Sequence, residues 1–328
     1  MRGSRDLPAT PPRENGYPMS MPANPAATSA AAPPDHPSLD ARRRRRAWLF
    51  LLPTLAVVAF IALYPLAETF YLSFTNARLG TGEPARIIGA QNYVDLVQDS
   101  YFHDAVLLTV IFTVVTVLGE LALGLGVALV VNSRFKGRSA VRAAMLIPWA
   151  IPTVISAQMW KWMYNDVYGV FNDLLVNQLG VLDRNIAFVA DPAVSFWAVA
   201  LIDVWKTTPF MALLLLAGLQ LIPHDLYEAA RVDGATALQQ FTRITLPLLR
   251  PAMLVALIFR TLDALRVFDV FFVMFGNRPD MQTMATYAQQ TLVSVSDIGY
   301  GSAISVALFL IIAVFITIYL AVFRAEEV

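Results

Sequence analysis

The stretch LIPHDLYEAARVDGATALQQFTRITLPLLRP, residues Leu221–Pro251, decides the fold of this chain. It lies between two long apolar runs, yet its own mixture of charged, polar and apolar residues is typical of short amphipathic helices at a surface. Pro247 and Pro251 predict a tight turn into the next apolar run, because proline has no N–H for a helix interior. The segment is therefore predicted to connect two membrane spans.

The spacing of polar residues in this segment predicts two short helices separated by a turn. Asp225 is followed three residues later by Glu228, and Thr236 by Gln239, which is capping-box spacing at a helix N-terminus. Gly234 lies between the two boxes and can take the left-handed conformation that ends a helix without a Cβ penalty. We therefore predict a helix, a glycine turn and a second helix.

The composition is that of a membrane protein. Of the 328 residues, 57% are hydrophobic and 15% are charged, whereas soluble domains have roughly 25% charged residues. The zero net charge argues against general affinity for nucleic acid. There is no cysteine, and the three histidines, His36, His103 and His224, are far apart, so no disulfide, thiolate site or imidazole metal cluster is predicted.

Six segments are long and apolar enough to cross a hydrocarbon core, which needs about twenty residues. They are approximately Trp48–Phe74, Ala105–Asn132, Val141–Met163, Ala193–Leu219, Ala252–Phe275 and Ser302–Phe323. In the second segment, Gly119, Gly124 and Gly126 are predicted to let a neighbouring helix approach closely. The predicted fold is all-α, a polytopic membrane protein with six transmembrane helices, and both termini lie on one side.

The distribution of lysine and arginine predicts the orientation, since cytosolic loops next to spans carry an excess of both. Thirteen lie on the side of the amino terminus and four on the other side. The thirteen are Arg42–Arg46, Arg134, Lys136, Arg138, Arg142, Arg231, Arg243, Arg250 and Arg324, and the four are Arg78, Arg86, Arg184 and Arg278. Both termini and residues 221–251 are therefore predicted to face the cytosol.

The first 46 residues are predicted to be a disordered cytosolic tail, because a stretch rich in Pro, Ala and Ser buries too little apolar surface to offset its ordering entropy. Arg42–Arg46 is a polybasic run next to Trp48. Its position beside a span favours an anchor on anionic lipid over a nucleic-acid site. The transmembrane domain is then predicted to be residues 47–328.

Part of the opening segment has the spacing Glu-Ala-Ala, three residues, Gly, nine residues, Ile, one residue, Leu-Pro. This pattern resembles the EAA loop of ABC importer permeases. The flanking stretches VWKTTPFMALLLLAGL, Val204–Leu219, and FRTLDALRVFD, Phe259–Asp269, resemble the carbohydrate branch of that family, the maltose, trehalose and glycerol-phosphate permeases. The resemblance covers roughly Trp48–Phe323. The family often has a run of glycines where this chain has Asn277 and Arg278, so the external loop there departs from the pattern.

The resemblance implies a permease subunit of a bacterial sugar importer in the cytoplasmic membrane. Its implied substrate is a disaccharide such as trehalose or maltose, and glycerol-phosphate is the main alternative. It implies a second, different permease, two cytosolic ATPase subunits that bind ATP and Mg, and an external solute-binding protein, with no cofactor in this chain. In that family the loop forms a coupling helix that docks into a groove on the ATPase. The ATPase-coupling residues implied here are Glu228, Ala229, Ala230, Asp233, Gly234, Ile244, Leu246 and Pro247.

Four ionisable residues follow one another at spacings of three in the fifth predicted span: Arg260, Asp263, Arg266 and Asp269. A charged side chain within a span costs a few kcal/mol, so it should face a cavity or a partner. Arg260 with Asp263, and Arg266 with Asp269, are predicted to pair across one turn. Either these residues line a pathway for sugar hydroxyls, which the resemblance favours, or they form a salt-bridge ladder between helices.

Motifs for the main rival functions are missing. The chain has no GxxxxGK[ST] phosphate loop, so a permease of this kind must obtain its energy from a partner. It also has no HExxH and no GxSxG, and no catalytic or metal site is predicted. A polytopic membrane glycosyltransferase remains an alternative, with Asp166, Asp173 and Asp183 as its acidic candidates. A channel is a third class, but it does not account for a loop that resembles an ATPase-docking loop.

Overall fold

The computed structural model describes residues 37–324 apart from residues 81, 83 and 134. The predicted tail therefore lies mostly outside the described residues, and the side chains of the polybasic run are outside them except that of Arg44. Helix α1, Pro37–Val58, begins within the stretch predicted as tail. Backbone contacts divide the described chain into two units, the first ending at Phe60 and the second beginning at Ile61.

The second unit is built of helices, and its described residues contain no strand, only two isolated bridges, Thr75 with Ile87 and Arg78 with Asp297. The helices of its first half are α2 Tyr64–Leu72, α3 Gln91–Gln98, α4 Ser100–Asn132, α5 Arg138–Ala144, α6 Ile147–Ala150, α7 Thr153–Met163 and α8 Val170–Asn172. The helices of its second half are α9 Pro192–Gln220, α10 His224–Val232, α11 Ala237–Gln240, α12 Leu246–Leu265, α13 Asp269–Phe275, α14 Met284–Gln289 and α15 Ile298–Arg324. Turns of π-helix occupy Ala59–Leu63, Asp173–Gln178, Phe241–Thr245 and Gln290–Ser294.

Among the described residues, four helices are long and apolar enough to cross a membrane: Ala47–Leu72, Ser100–Asn132, Pro192–Gln220 and Ile298–Ala321. Arg138–Ala150 and Thr153–Met163 form a pair bent by 87° that adds a fifth crossing if it is one broken span. The remaining predicted span, Ala252–Phe275, is not one helix, because α12 ends at Leu265 and α13 begins at Asp269. The helical fold is confirmed, and the count of six spans is not.

The core of the second unit is a three-helix contact of α4, α9 and α12, with α4 and α9 packed along much of their length. Gly124 of α4 permits this contact, because a Cβ there would lie 2.7 Å from Cγ of Met211 on α9. Gly119 makes only ordinary contact with Val204, and Gly126 faces open space, so one of the three predicted glycines is a close-approach position. Gly218 of α9 has the same role against Ala252 and Leu249 of α12.

At the other end of α4, Asp99 fixes the helix start to the C-terminal part of the chain. Its carboxylate caps α4 through the N–H of Tyr101 at 2.9 Å and accepts hydrogen bonds from Tyr287 at 2.5 Å and Tyr300 at 2.7 Å. Burial alone would raise the pKa of Asp99, but these hydrogen bonds stabilise the carboxylate and bring its pKa below the usual value. The start of α4 is thereby held against α14 and α15.

We expect Gly218→Ala to destabilise the helix core. The new Cβ would lie 2.4 Å from Cβ of Ala252, so α9 and α12 must separate. Overpacking of this kind costs about 1–3 kcal/mol, more than the roughly 1 kcal/mol that alanine gains over glycine in a helix. The measurement is the thermal unfolding midpoint of the purified chain in detergent. Gly126→Ala is the matched control, since no atom lies within 4 Å of its added Cβ; equal midpoints for the two variants would contradict the packing argument.

Candidate functional site

A polar cavity of about 510 Å³ lies beside the break in the bent helix pair. Its walls come from the end of α6 and start of α7, from the middle of α9, and from the junction of α12 with α13. The charged residues in these walls are Asp203, Lys206, Arg260, Asp263, Arg266 and Asp269, and the other lining residues are Trp149–Thr153, Thr207, Ala264, Val267, Phe268 and Val270. All four predicted pathway residues therefore border one cavity.

Arg260 forms the buried centre of this site. Its guanidinium donates from Nε to Oε2 of Glu120 at 2.5 Å and from Nη2 to Oε1 at 2.8 Å, a bidentate pair. The same guanidinium contacts Asp203 at 3.2 Å and Asp263 at 2.5 Å. Thr207 adds a hydroxyl hydrogen bond to Glu120 at 2.6 Å. One arginine thus joins carboxylates from α4, α9 and α12.

Most of this network is buried, so each of its charges needs a partner of opposite charge. The side chains of Arg260 and Glu120 are 3% and 0% exposed, and that of Asp203 is 13% exposed. Removing one member of a buried ion pair leaves an uncompensated charge, which typically costs about 3–5 kcal/mol. Asp263 differs from the other members, since its side chain is 58% exposed and faces the cavity. The network therefore has a buried structural part and an accessible edge.

The pairing of the predicted pathway residues is only partly as the sequence suggested. Arg260 pairs with Asp263 as predicted. Arg266 lies 4.0 Å from Asp263 and, among the described residues, forms no ion pair with Asp269. The reason is that α12 ends at Leu265, so the backbone between Arg266 and Phe268 no longer keeps helical spacing. Asp269 instead lies in the first turn of α13, where its negative charge suits the helix dipole.

Three residues of this site were missed or left without a role by the sequence analysis: Glu120, Asp203 and Lys206. Lys206 is 7% exposed, and its ammonium donates at 2.5 Å to the carbonyl oxygen of Ile151, at the break between α6 and α7. Helix breaks leave carbonyls without a backbone partner, and Lys206 satisfies one of them. A signal was present, because any ionisable residue inside an apolar run indicates a cavity or a partner.

The predicted coupling loop is a second feature of the chain, formed by α10, α11 and the start of α12. Gly234 has φ of +78°, the left-handed conformation that was predicted. Thr236 and Gln239 form the predicted capping box at the start of α11. The first predicted box is wrong, because α10 begins at His224 after Pro223 and Asp225 makes no cap hydrogen bond.

The predicted turn at Pro247 and Pro251 is also wrong. A π-helical turn, Phe241–Thr245, connects α11 directly to α12, and helical backbone continues from Ala237 to Leu265. Pro247 falls in the first turn of α12, where its missing N–H is tolerated, and Pro251 lies inside the helix. The second helix of the loop, α11, is therefore continuous with the helix that carries Arg260.

The residues implied as coupling residues occupy this loop as follows. Glu228 is 63% exposed and lies 3.9 Å from Arg231, a weak contact between two solvated side chains. The remaining exposed members are Ala229, Asp233, Gly234 and Pro247, and the half-buried members are Ala230, Ile244 and Leu246. Tyr227 and Thr245 share a hydrogen bond at 2.9 Å, which attaches α10 to the π-helical turn. The loop thus presents an accessible surface on a fixed base.

Comparison with known proteins identifies the family. The family model for the binding-protein-dependent transport system inner membrane component matches residues 120–326. The trehalose/maltose transport system permease protein MalF of Thermococcus litoralis is 45% identical over 284 residues, 86% of this chain and 95% of that protein. The sulfoquinovosyl glycerol transport system permease protein SmoG of Agrobacterium fabrum is 42% identical, covering 88% of this chain and 94% of that protein. The trehalose transport system permease protein SugA of Mycobacterium tuberculosis is 37% identical, with 86% and 90% coverage.

Solved structures support the same fold. A bacterial ABC transporter involved in the import of the acidic polysaccharide alginate superposes with a TM-score of 0.76 at 24% identity, over 88% of this chain and 98% of that chain. The bacterial alginate ABC transporter in complex with an alginate pentasaccharide-bound periplasmic protein gives 0.73 at 25% identity, over 86% and 94%. The resemblance to ABC importer permeases is confirmed, and the glycosyltransferase alternative is set aside. The chain belongs to the family of binding-protein-dependent transport system inner membrane components, membrane-embedded permeases that are not themselves enzymes.

Proposed function

We propose that this chain is one permease subunit of an ATP-driven, binding-protein-dependent importer of an uncharged sugar, a disaccharide such as trehalose or maltose. The observation that carries the proposal is the polar cavity at the junction of α12 and α13, whose walls contain both hydrogen-bond donors and acceptors. Sugar hydroxyls act both as donors and as acceptors, so they suit such walls. The names of the trehalose/maltose and trehalose permeases among the relatives support this substrate class.

The charge of the cavity supports a neutral substrate. Four carboxylates, Glu120, Asp203, Asp263 and Asp269, lie in or next to it, against three cations, Lys206, Arg260 and Arg266. Four negative and three positive groups leave a formal charge of minus one. A phosphorylated substrate would add negative charge to a site that already has a slight excess, and charges in low dielectric repel strongly. Glycerol-phosphate is therefore the less favoured substrate.

The proposed assembly contains a second, different permease, two cytosolic ATPase subunits that bind ATP and Mg, and an external solute-binding protein. The family description and the alginate transporter solved with its periplasmic protein support a binding-protein partner. In this arrangement the chain crosses the bacterial cytoplasmic membrane six times, with α12 and α13 as the segments of the span that follows the loop. Both termini and residues 221–251 face the cytosol, in agreement with the distribution of lysine and arginine.

In the proposed mechanism, the coupling loop transmits motion from an ATPase subunit to the cavity. Glu228 and the apolar side chains of Leu226, Ala229 and Ala230 dock on an ATPase subunit, which moves when it binds ATP. The hydrogen bond from Tyr227 to Thr245 and the continuous helical backbone then carry this motion along α12. From Leu246 to Arg260 the distance along the helix axis is roughly 20 Å at 1.5 Å per residue. Motion at the loop is thus delivered to the cavity.

We expect Gly234→Asp to abolish sugar uptake while the chain still inserts into the membrane. Gly234 has φ of +78°, and a side chain in this conformation carries a strain of about 1 kcal/mol, which shifts α10 away from its docking position. The measurements are uptake of labelled trehalose or maltose and ATP hydrolysis by the assembled transporter.

Gly180→Asp is the matched control, because Gly180 also has a positive φ, of +58°, with no atom within 4 Å of an added Cβ. It lies in the loop before α9, away from the coupling loop. Wild-type uptake by Gly234→Asp, or equal loss in both variants, would refute the coupling assignment.

We expect Asp263→Asn to reduce transport at least about tenfold, equivalent to roughly 1.4 kcal/mol, with little effect on assembly. Its side chain is 58% exposed to the cavity, so the neutral amide removes an acceptor for substrate without leaving a buried charge unpaired. Arg260→Met, by contrast, strands the buried Glu120 carboxylate and should lower the thermal stability of the complex. Uptake, complex recovery in detergent and unfolding midpoint are measured for both.

The control for this prediction is Asp280→Asn. Asp280 also pairs with an arginine, Arg278, at 2.9 Å and is 42% exposed, but it lies outside the cavity. Uptake should stay near the wild-type rate in this variant. If Asp263→Asn instead loses the complex while retaining the transport rate per complex, the residue belongs to helix packing and the pathway assignment is wrong.

A further inference from the structure

A second cavity, of about 600 Å³, lies at the base of the coupling loop. It is bordered by the C-terminal ends of α4 and α9, the start of α5, helix α10 and the π-helical turn after α11. This volume is within the range of small-molecule sites, about 300–1,000 Å³. The cavity is separate from the one around Arg260, with which it shares no lining residue.

The ionisable groups in the walls of this second cavity are Arg138, His224 and Arg231, and its described lining includes no carboxylate. Arg138 makes no ion pair within 4.0 Å among the described residues. The nearest carboxylate to Arg231 is that of Glu228, at 3.9 Å, and both side chains are more than half exposed, which is a weak contact. Two guanidinium groups therefore border the cavity with most of their donors uncommitted.

Neutral donors surround the two arginines. The amides of Asn132 and Gln220 line the cavity, and neither makes a side-chain hydrogen bond among the described residues. Ser133 contributes a hydroxyl, which is bonded to the carbonyl oxygen of Val130. The described lining of the cavity thus has several hydrogen-bond donors and no charged acceptor.

The helix ends at this cavity contribute partial rather than full negative charge. The C-termini of α4 and α9 carry partial negative charge in their last carbonyls. The carbonyl of Val131 is bonded by Arg142 at 3.2 Å, and that of Gly218 by the N–H of Leu221 at 3.1 Å. These two carbonyls already have donors, and the full charges in the described lining are those of the two arginines.

We propose that this cavity binds a phosphate group through the guanidinium groups of Arg138 and Arg231. The planar guanidinium donates two parallel hydrogen bonds to phosphate oxygens, and a phosphate offers enough acceptors for both arginines and the amides. The group belongs either to a lipid headgroup or to a free phosphate compound. Bound there, it would link α5 to α10 and restrain the coupling loop; this effect on transport rests on the proposed function, whereas binding itself does not.

The test uses the absence of cysteine in this chain. Ser133→Cys places one thiol on the cavity wall, and its alkylation by a maleimide is followed on the separated subunit from the assembled transporter in nanodiscs of phosphatidylcholine. Saturating inorganic phosphate should slow this alkylation about tenfold. Thr242→Cys, on an exposed side chain outside the cavity, should react at a rate that phosphate does not change.

Two double variants test whether the protection by phosphate depends on the two arginines. In Arg138→Gln/Arg231→Gln, the phosphate protection of the Ser133→Cys thiol should be lost. In the matched Lys136→Gln/Arg243→Gln, which removes the same charge from exposed positions outside the cavity, it should remain. Protection that persists in the first pair, or disappears in both, overturns the proposal.

A third arm separates the two sources of phosphate. Protection by inorganic phosphate in phosphatidylcholine nanodiscs indicates a free phosphate compound, whereas protection that appears only when phosphatidylglycerol is included indicates a lipid headgroup. If the ATPase subunits protect the thiol without any phosphate, a partner fills the cavity, and the proposal is overturned. Uptake measured on the same samples separates phosphate binding from its proposed effect on transport. Phosphate binding without any effect on uptake would remove the coupling role but leave the phosphate site intact.

Discussion

The structure depends on the contact of one buried guanidinium with carboxylates from three helices. Arg260 on α12 meets Glu120 on α4, Asp203 on α9 and Asp263 on its own helix. In an apolar surrounding, each of these charges is tolerated only because the others are present. The relative positions of α4, α9 and α12 are therefore specified by electrostatics as well as by packing, and the polar cavity exists because this network keeps charged groups at the junction of the helices.

Close packing and charge act together in this core. Gly124 brings α9 against α4, and Gly218 brings α12 against α9, so the three backbones approach closely enough for short side chains such as Asp203 to reach Arg260. Lys206 adds a hydrogen bond from α9 to the break between α6 and α7. The walls of the cavity are thus joined to one another by side-chain contacts, while the accessible edge at Asp263 and Asp269 remains available to a ligand.

Much of the fold was predictable, because long apolar runs and the spacing around Glu228 are local signals. The glycine turn at Gly234 and the cap at Thr236 follow from backbone preferences within a few residues, and both are present. The partner of Glu120 was not predictable, since Arg260 lies 140 residues away and only the packed helices bring the two together. The prediction of a turn at Pro247 was wrong because a π-helical turn accommodates the proline without a break in the helix. No local sequence pattern predicts such a π-helical turn.

The π-helical turn at Phe241–Thr245 has a consequence for which changes of length this chain can tolerate. A π-helical turn holds one more residue than an α-helical turn, and each residue advances an α-helix by about 100°. Loss or gain of one residue in this segment would rotate every later side chain of α12 by that angle and turn Arg260 away from Glu120. The register of the helix is therefore stored in the length of a five-residue segment, so insertions and deletions there should be far rarer over evolution than in the loop around Gly180.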